Sequence, residues 1–139
     1  MSDRETALFA NAAFYAAFAA RDLKAMDEIW SRDRPVCCIH PGWPLVLGRA
    51  EVLASWGGIL RNPNAPKIKC KSDRVEVYGD IAVVTCIEII NDRETLAATN
   101  IFVKATGRWA LVHHQAGPAN VDPKTLEDDG SEKPRKAMN

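Results

Sequence analysis

The hydrophobic period of this chain changes from mainly helical to strand-like at the breaker Asn62-Pro63-Asn64-Ala65-Pro66, and that change dictates the layering of whatever it folds into. Before the breaker, apolar residues recur at helical spacing. Asp3 to Ala20 carries Ala7, Leu8, Ala10, Phe14, Tyr15, Ala17 and Phe18, and Leu23 to Trp30 follows the capping residue Asp22. A third helix, from about Ala50 to Leu60, turns Val52, Leu53, Trp56, Ile59 and Leu60 inward behind Gly48-Arg49. A strand from Val36 to His40 precedes it. After the breaker, Lys67–Tyr78, Ile81–Ile90, Leu96–Ala105 and Arg108–Ala116 read as strands separated by Gly79-Asp80, Asn91-Asp92-Arg93 and Thr106-Gly107. Helices gathered first and strands last predict an α+β fold, with three N-terminal helices packed on a strongly curved antiparallel sheet.

The segment Ile81–Ile90 is apolar at both parities, so both of its faces are expected to be buried. One face meets the helices. The other is expected to meet a second copy of the chain in a two-fold homodimer. The 139 residues suit one domain over 3–117, followed by a polar, mobile tail over 118–139. Lysine plus arginine equals aspartate plus glutamate at 18 each, which argues against nucleic acid or an anionic membrane as partner. No apolar run approaches the roughly 20 residues of a membrane span, and the mixed-charge start Met-Ser-Asp-Arg-Glu is unlike a signal peptide, so the expected compartment is the cytoplasm. Cys37, Cys38, Cys70 and Cys86 form no Cys-x-x-Cys pair, which predicts free thiols and no structural metal.

Chemistry concentrates at Val36-Cys37-Cys38-Ile39-His40-Pro41-Gly42-Trp43-Pro44, where a strand delivers an imidazole and an indole into a turn stiffened by two prolines. His40 is a candidate general base or acid, and Trp43 a ligand contact. His113 and His114 are adjacent on a strand and must face opposite ways. A two-residue turn at Thr106-Gly107 pairs Asn100 with His113, which puts His113 on the pocket side with Trp109, Leu111 and Phe102 and sends His114 toward the dimer face. Asn100 is an amide among apolar neighbours and needs a partner, either His113 or a ligand carbonyl. Glu88 is the one charge in its strand. Whether it shares the face of His113 or of His114 depends on the length of the loop after it. A thiol–imidazole pairing of Cys38 with His40 is a lesser candidate.

The order of these signals resembles the NTF2-like superfamily, especially its SnoaL-like and ketosteroid-isomerase-like members: long helix, Asp22-Leu23 helix, Trp30, strand, His40-Pro41, Gly48-Arg49, Trp56 helix, meander, Trp109 and His113-His114. The resemblance spans about residues 3 to 117. It implies a cone-shaped apolar pocket, usually in a homodimer, and a superfamily of isomerases, dehydratases, cyclases, hydrolases and non-catalytic modules. Aligned through Asp22-Leu23, the isomerase tyrosine position falls on Phe14, with Tyr15 about 100° around the helix, and the acidic base position falls on His40. The resemblance therefore implies that the tyrosine hydroxyl is lost and that this is not a standard ketosteroid isomerase.

The expected function is the binding of a small apolar organic molecule, with cofactor-free proton transfer of isomerase, dehydratase or cyclase type. His40, His113 and Glu88 are the catalytic candidates, and Phe14, Tyr15, Trp43, Trp56, Asn100 and Phe102 contact the ligand. The alternative is a non-catalytic ligand-binding or dimerisation module on the same fold. The absence of a Gly-x-Ser-x-Gly motif makes a hydrolase the weaker reading.

Overall fold

In the computed structural model, residues 1–126 are described. The first helix, α1 (Asp3–Ala19), starts at a capping box: the Ser2 hydroxyl accepts from the Glu5 amide, and the Glu5 carboxylate accepts from the Ser2 amide. Asp22 caps α2 (Leu23–Ile29) through the Ala25 amide. The short strands β1 (Cys37–Ile39) and β2 (Val46–Leu47) enclose the Pro41–Pro44 turn, and α3 (Arg49–Arg61) follows Gly48, whose φ of 87° suits glycine. Strands β3 (Ile68–Tyr78), β4 (Ile81–Ile90), β5 (Glu94–Ala105) and β6 (Arg108–Pro118) then form the expected meander. Its turns use positive φ at Gly79, Asn91, Asp92, Thr106 and Gly107.

The sheet has six strands in the order β2-β1-β6-β5-β4-β3, and it is mixed rather than wholly antiparallel. β1 runs parallel to β6, pairing Cys37 with His113 and Cys38 with His114. The expected all-antiparallel sheet and the two-residue-longer first strand are corrected accordingly. The helices cover one face, where Phe14, Phe18, Met26, Trp30, Val52, Val84, Phe102 and Leu111 form the core. Trp109 joins that face, its indole N–H donating to the Thr6 hydroxyl at 2.9 Å.

Two irregularities decide which side chains reach the interior. In β6, Ile101 pairs with His113 and Phe102 with Leu111, so Val112 is an extra residue and the strand is bulged. Trp109 and Leu111 point inward, and after the bulge His114 and Ala116 do so instead of His113. In β3 the register shifts between Lys71 and Arg74, which keeps both Cys70 and Val75 on the helix side. The chain after β6 is held by the Thr95 hydroxyl, which donates to the carbonyls of Ala119 and Val121, and ends in a 3-10 turn at Pro123–Leu126. The mobile tail expected from 118 falls, from residue 127 on, outside the described residues. Among the described residues, no helix is long and apolar enough to cross a membrane.

Candidate functional site

A cavity of about 390 Å3 opens between α1, α3, the turn after β1 and the inner face of the sheet. Its wall is aromatic and aliphatic, with Phe14, Phe18, Trp43, Trp56, Ile59, Ile68, Ile90 and Leu96, and its polar groups are Tyr15, His40, Glu88, Glu94 and His114. This is the composition of a site for a small organic ligand: apolar surface for affinity, a few convergent polar atoms for orientation.

The inner wall carries a continuous buried network. The Tyr15 hydroxyl donates to Glu88 Oε2 at 2.7 Å. Asn100 Nδ2 donates both to Asn11 Oδ1 at 2.8 Å and to the Tyr15 oxygen at 3.2 Å. Asn100 Oδ1, which can only accept, takes the Nδ1 proton of His114 at 2.5 Å. That bond fixes the His114 tautomer and leaves Nε2 unprotonated, 3.9 Å from Glu88 Oε2. Asn11, Glu88, Asn100 and His114 are all at most 3% exposed. The positions follow from register: Glu88 pairs with Leu96 and Val84 with Asn100 across a three-residue turn, and Asn100 pairs with His114.

Burial sets the proton affinities of this network. It pushes the Glu88 carboxyl above its ordinary value, against the opposing pull of the Tyr15 hydroxyl. It lowers His114 to about 3, with the neighbouring histidines adding to the effect, and lifts the Tyr15 phenol well above 10. Both members of the Glu88–His114 pair are thus driven toward their neutral forms, in which the carboxyl holds a proton and the imidazole can accept one.

His40 stands nearer the opening, its ring centroid 4.8 Å from that of Trp43 and 4.7 Å from that of Trp56, edge to face with both. Ser55 donates its hydroxyl proton to the Val52 carbonyl, so at 2.8 Å its oxygen accepts from His40 Nε2, and Nδ1 is the basic nitrogen. Burial lowers His40 to about 4. Cys38 lies 3.7 to 3.8 Å from the ring, and burial pushes its thiol up to about 12, which removes it as a thiolate nucleophile.

Several expected placements change. His113 lies on the outer sheet face, with Nδ1 3.1 Å from Cys37 Sγ, while His114 occupies the cavity wall; the Val112 bulge reversed the parity. The tyrosine hydroxyl is present in the site: Phe14 and Tyr15 both face inward, and Tyr15 is the one that reaches Glu88. Asn100 finds its partner in His114 rather than in His113, and it stands behind the cavity lining together with the fully buried Phe102. Trp43, Trp56 and Glu88 do line the cavity. Asn11, Ser55, Phe18 and Glu94 were missed. Asn11 was visible as a polar residue on the apolar stripe of α1, one turn before Tyr15. Among the described residues, no group of three or more His, Cys, Asp or Glu side chains is arranged to hold a metal ion.

Residues 8–120 match the model of the SnoaL-like domain. Among solved structures, the chain is 33% identical to a proposed dehydratase of the NTF2-like family from Streptomyces avermitilis, over 86% of this chain and 97% of that one, with a TM-score of 0.77. It is 32% identical to a proposed calcium/calmodulin-dependent protein kinase type II association domain from Thiobacillus denitrificans, over 80% and 93% of the two chains, with a TM-score of 0.74. It is also 30% identical over 113 residues to the F-box protein SKIP8 of Arabidopsis thaliana; that match takes in 81% of this chain and about half, 49%, of the relative. The chain belongs to the SnoaL-like family and has the NTF2-like, cystatin-like α+β fold.

Proposed function

We propose that the cavity binds a small organic molecule and that Glu88, Tyr15 and His114 move a proton on it without a cofactor. The observation that carries this reading is the Glu88 carboxyl, held at 2.7 Å by Tyr15 and facing His114 Nε2 at 3.9 Å, on the wall of an otherwise apolar cavity. A base and an acid whose environments favour their neutral forms can exchange a proton through the ligand between them.

Dehydration is the reaction this pair fits most directly, and the similarity to the proposed dehydratase from Streptomyces avermitilis supports it. His114 Nε2 takes the proton α to a carbonyl, the Glu88 carboxyl gives its proton to the departing β-hydroxyl, and the C–O bond breaks to leave an alkene and water. Proton transfer from His114 to Glu88 then restores both. Isomerisation uses the same two groups without loss of water. Tyr15 holds Glu88, Asn100 orients His114 from behind the lining, and His40 with Trp43 and Trp56 shapes the mouth.

The test is proton NMR in D2O with a panel of apolar β-hydroxy ketones, comparing the protein with Glu88→Gln and His114→Gln. Deuterium entering the α position or alkene appearing, with a loss of about 100-fold or more in either variant, is the expected result. Rates indistinguishable among the three proteins would refute the catalytic reading.

A second reading concerns assembly. The outer sheet face presents Val83, Ile87, Ile101, Val103 and Val112, half-buried in the single chain, at its centre. We propose that a second copy covers this face in a homodimer, a reading supported by the similarity to the Thiobacillus association domain and, at 25% identity and a TM-score of 0.72, to the CaMKII hub of S. rosetta.

A further inference from the structure

We propose that the ligand of this cavity is an organic cation, a protonated or quaternary amine with an apolar body. The inference rests on the cavity being a ligand site, as argued above, and adds the charge of what enters it. Five aromatic side chains, Phe14, Tyr15, Phe18, Trp43 and Trp56, share the wall with two carboxyls, Glu88 on the inner wall and Glu94 in an exposed position, and among the described residues no lysine or arginine lines the cavity. Every formal charge that the lining can carry at neutral pH is therefore negative.

The histidines do not change that balance. His40 and His114 are both buried and held neutral by desolvation, so neither supplies a cation to receive a carboxylate, phosphate or sulfonate. An anionic ligand would lose its water and meet carboxyls, aromatic rings and aliphatic side chains, with no formal cation among the described lining residues to compensate. An ammonium group gains on both counts: the Glu94 carboxyl at the opening attracts it, and aromatic rings of the wall can stabilise it over their faces. Trp43 is 46% exposed although it is tethered by the Trp43 amide to the His40 carbonyl and by ring contact to His40. An indole held rigidly at an opening, beside other aromatic rings, is a surface on which an alkylammonium group can rest.

The experiment is a titration of the full chain, read by tryptophan fluorescence and by calorimetry, with three probes of matched shape. They are benzyltrimethylammonium, its neutral carbon isostere neopentylbenzene, and the anion phenylmethanesulfonate. The expected result is binding of the cation about tenfold or more tighter than of the neutral probe, with the anion weakest. Glu94→Gln should weaken the cation severalfold and leave the neutral probe unchanged. If the neutral probe or the anion binds as tightly as the cation, or if Glu94→Gln binds the cation as the parent does, the charge assignment is wrong while the cavity remains a ligand site. If none of the three binds saturably, the ligand-site reading falls together with the inference.

Discussion

Asn100 fixes His114: its carbonyl oxygen takes the Nδ1 proton at 2.5 Å, and Nε2 is left as the basic nitrogen opposite Glu88. The same amide donates to Asn11 and Tyr15, so one side chain satisfies three buried partners. Replacing it with leucine keeps the volume and strands those partners, at a cost of about 2–4 kcal/mol in stability by urea denaturation. The milder Asn100→Asp should retain an acceptor for His114. Nitrogen-15 imidazole spectra are expected to show the Nδ1–H tautomer in the parent and a tautomer mixture in Asn100→Leu. A single unchanged tautomer in the leucine variant would show that Asn100 does not set it.

Tyr15 acts on Glu88 in the opposite sense to burial, because its hydroxyl stabilises the carboxylate. Tyr15→Phe removes the donor and leaves desolvation unopposed, so the Glu88 pKa rises further. The prediction is an upward displacement of the Glu88 ionisation, followed by carbon-13 carboxyl NMR. An unmoved or lowered titration would mean that the 2.7 Å contact does not favour the charged form.

Acid should loosen the fold through the two inward histidines. Their native values of about 4 for His40 and about 3 for His114 lie below the unfolded value near 6.5. Above pH 6.5 neither residue costs anything. As pH falls below it, the unfolded chain takes up protons that the native state declines, and stability drops by about 2 kcal/mol per histidine by pH 5. Glu88 works the other way, because its raised value makes stability fall as pH rises from its unfolded value near 4.5 to its native one. Asp27 and Asp92, whose values lie below the ordinary range, stay ionised throughout the interval from pH 7.5 to 5. Urea midpoints at those two pH values should therefore decline in the parent and decline by clearly less in His40→Gln; equal declines would exclude His40 as a source.

The sequence made the architecture legible and the site only in part, for reasons that can be assigned to particular residues. Gly79-Asp80, Asn91-Asp92-Arg93 and Thr106-Gly107 carry turn chemistry that only a meander uses, and each turn lies where it was expected. Val112 gives no such signal: it is β-branched, it continues an alternating pattern, and yet it is the residue that bulges and exchanges His113 for His114 at the cavity. Local pattern specifies roughly where a strand runs along the sequence, whereas a bulge is chosen by the pairing of β6 with β5 and β1 at once. The parallel β1–β6 pairing was hidden for the same reason, since its partners are separated by 76 residues, as in Cys37 and His113. Tyr15 was displaced from the expected role by an alignment that turned on a single helical residue, although a helix stripe about 100° wide accommodates both Phe14 and Tyr15.

Arg49 joins the start of α3 to the end of α2. Its Nη1 donates to Asp27 Oδ1 at 3.0 Å, its Nη2 to the Asp27 carbonyl, and its Nε to the Ser31 carbonyl at 3.2 Å. A planar fork meets those three acceptors and a lysine ammonium cannot, even though the charge is kept. Arg49→Lys is expected to cost about 1–2 kcal/mol by thermal or urea denaturation. The loss should persist at 1 M salt, because the carbonyl bonds are not ion pairs. A variant as stable as the parent would show that charge alone holds the two helices together.

The outer sheet face supplies the last test. Val83 and Ile101 are opposite each other on β4 and β5, and Ile101 is in turn opposite His113 on β6, so a charge placed there would lie at the centre of the apolar surface. Neither residue touches the cavity. If a second copy covers this face, Val83→Glu or Ile101→Glu puts two buried carboxylates near the two-fold axis, at a cost far above what a standard interface tolerates. Sedimentation velocity should show a dimer for the parent and a monomer for either variant, with far-UV circular dichroism unchanged. A parent that sediments as a monomer at micromolar concentration would remove the homodimer, and the cavity chemistry, which lies on the opposite face, would be left standing.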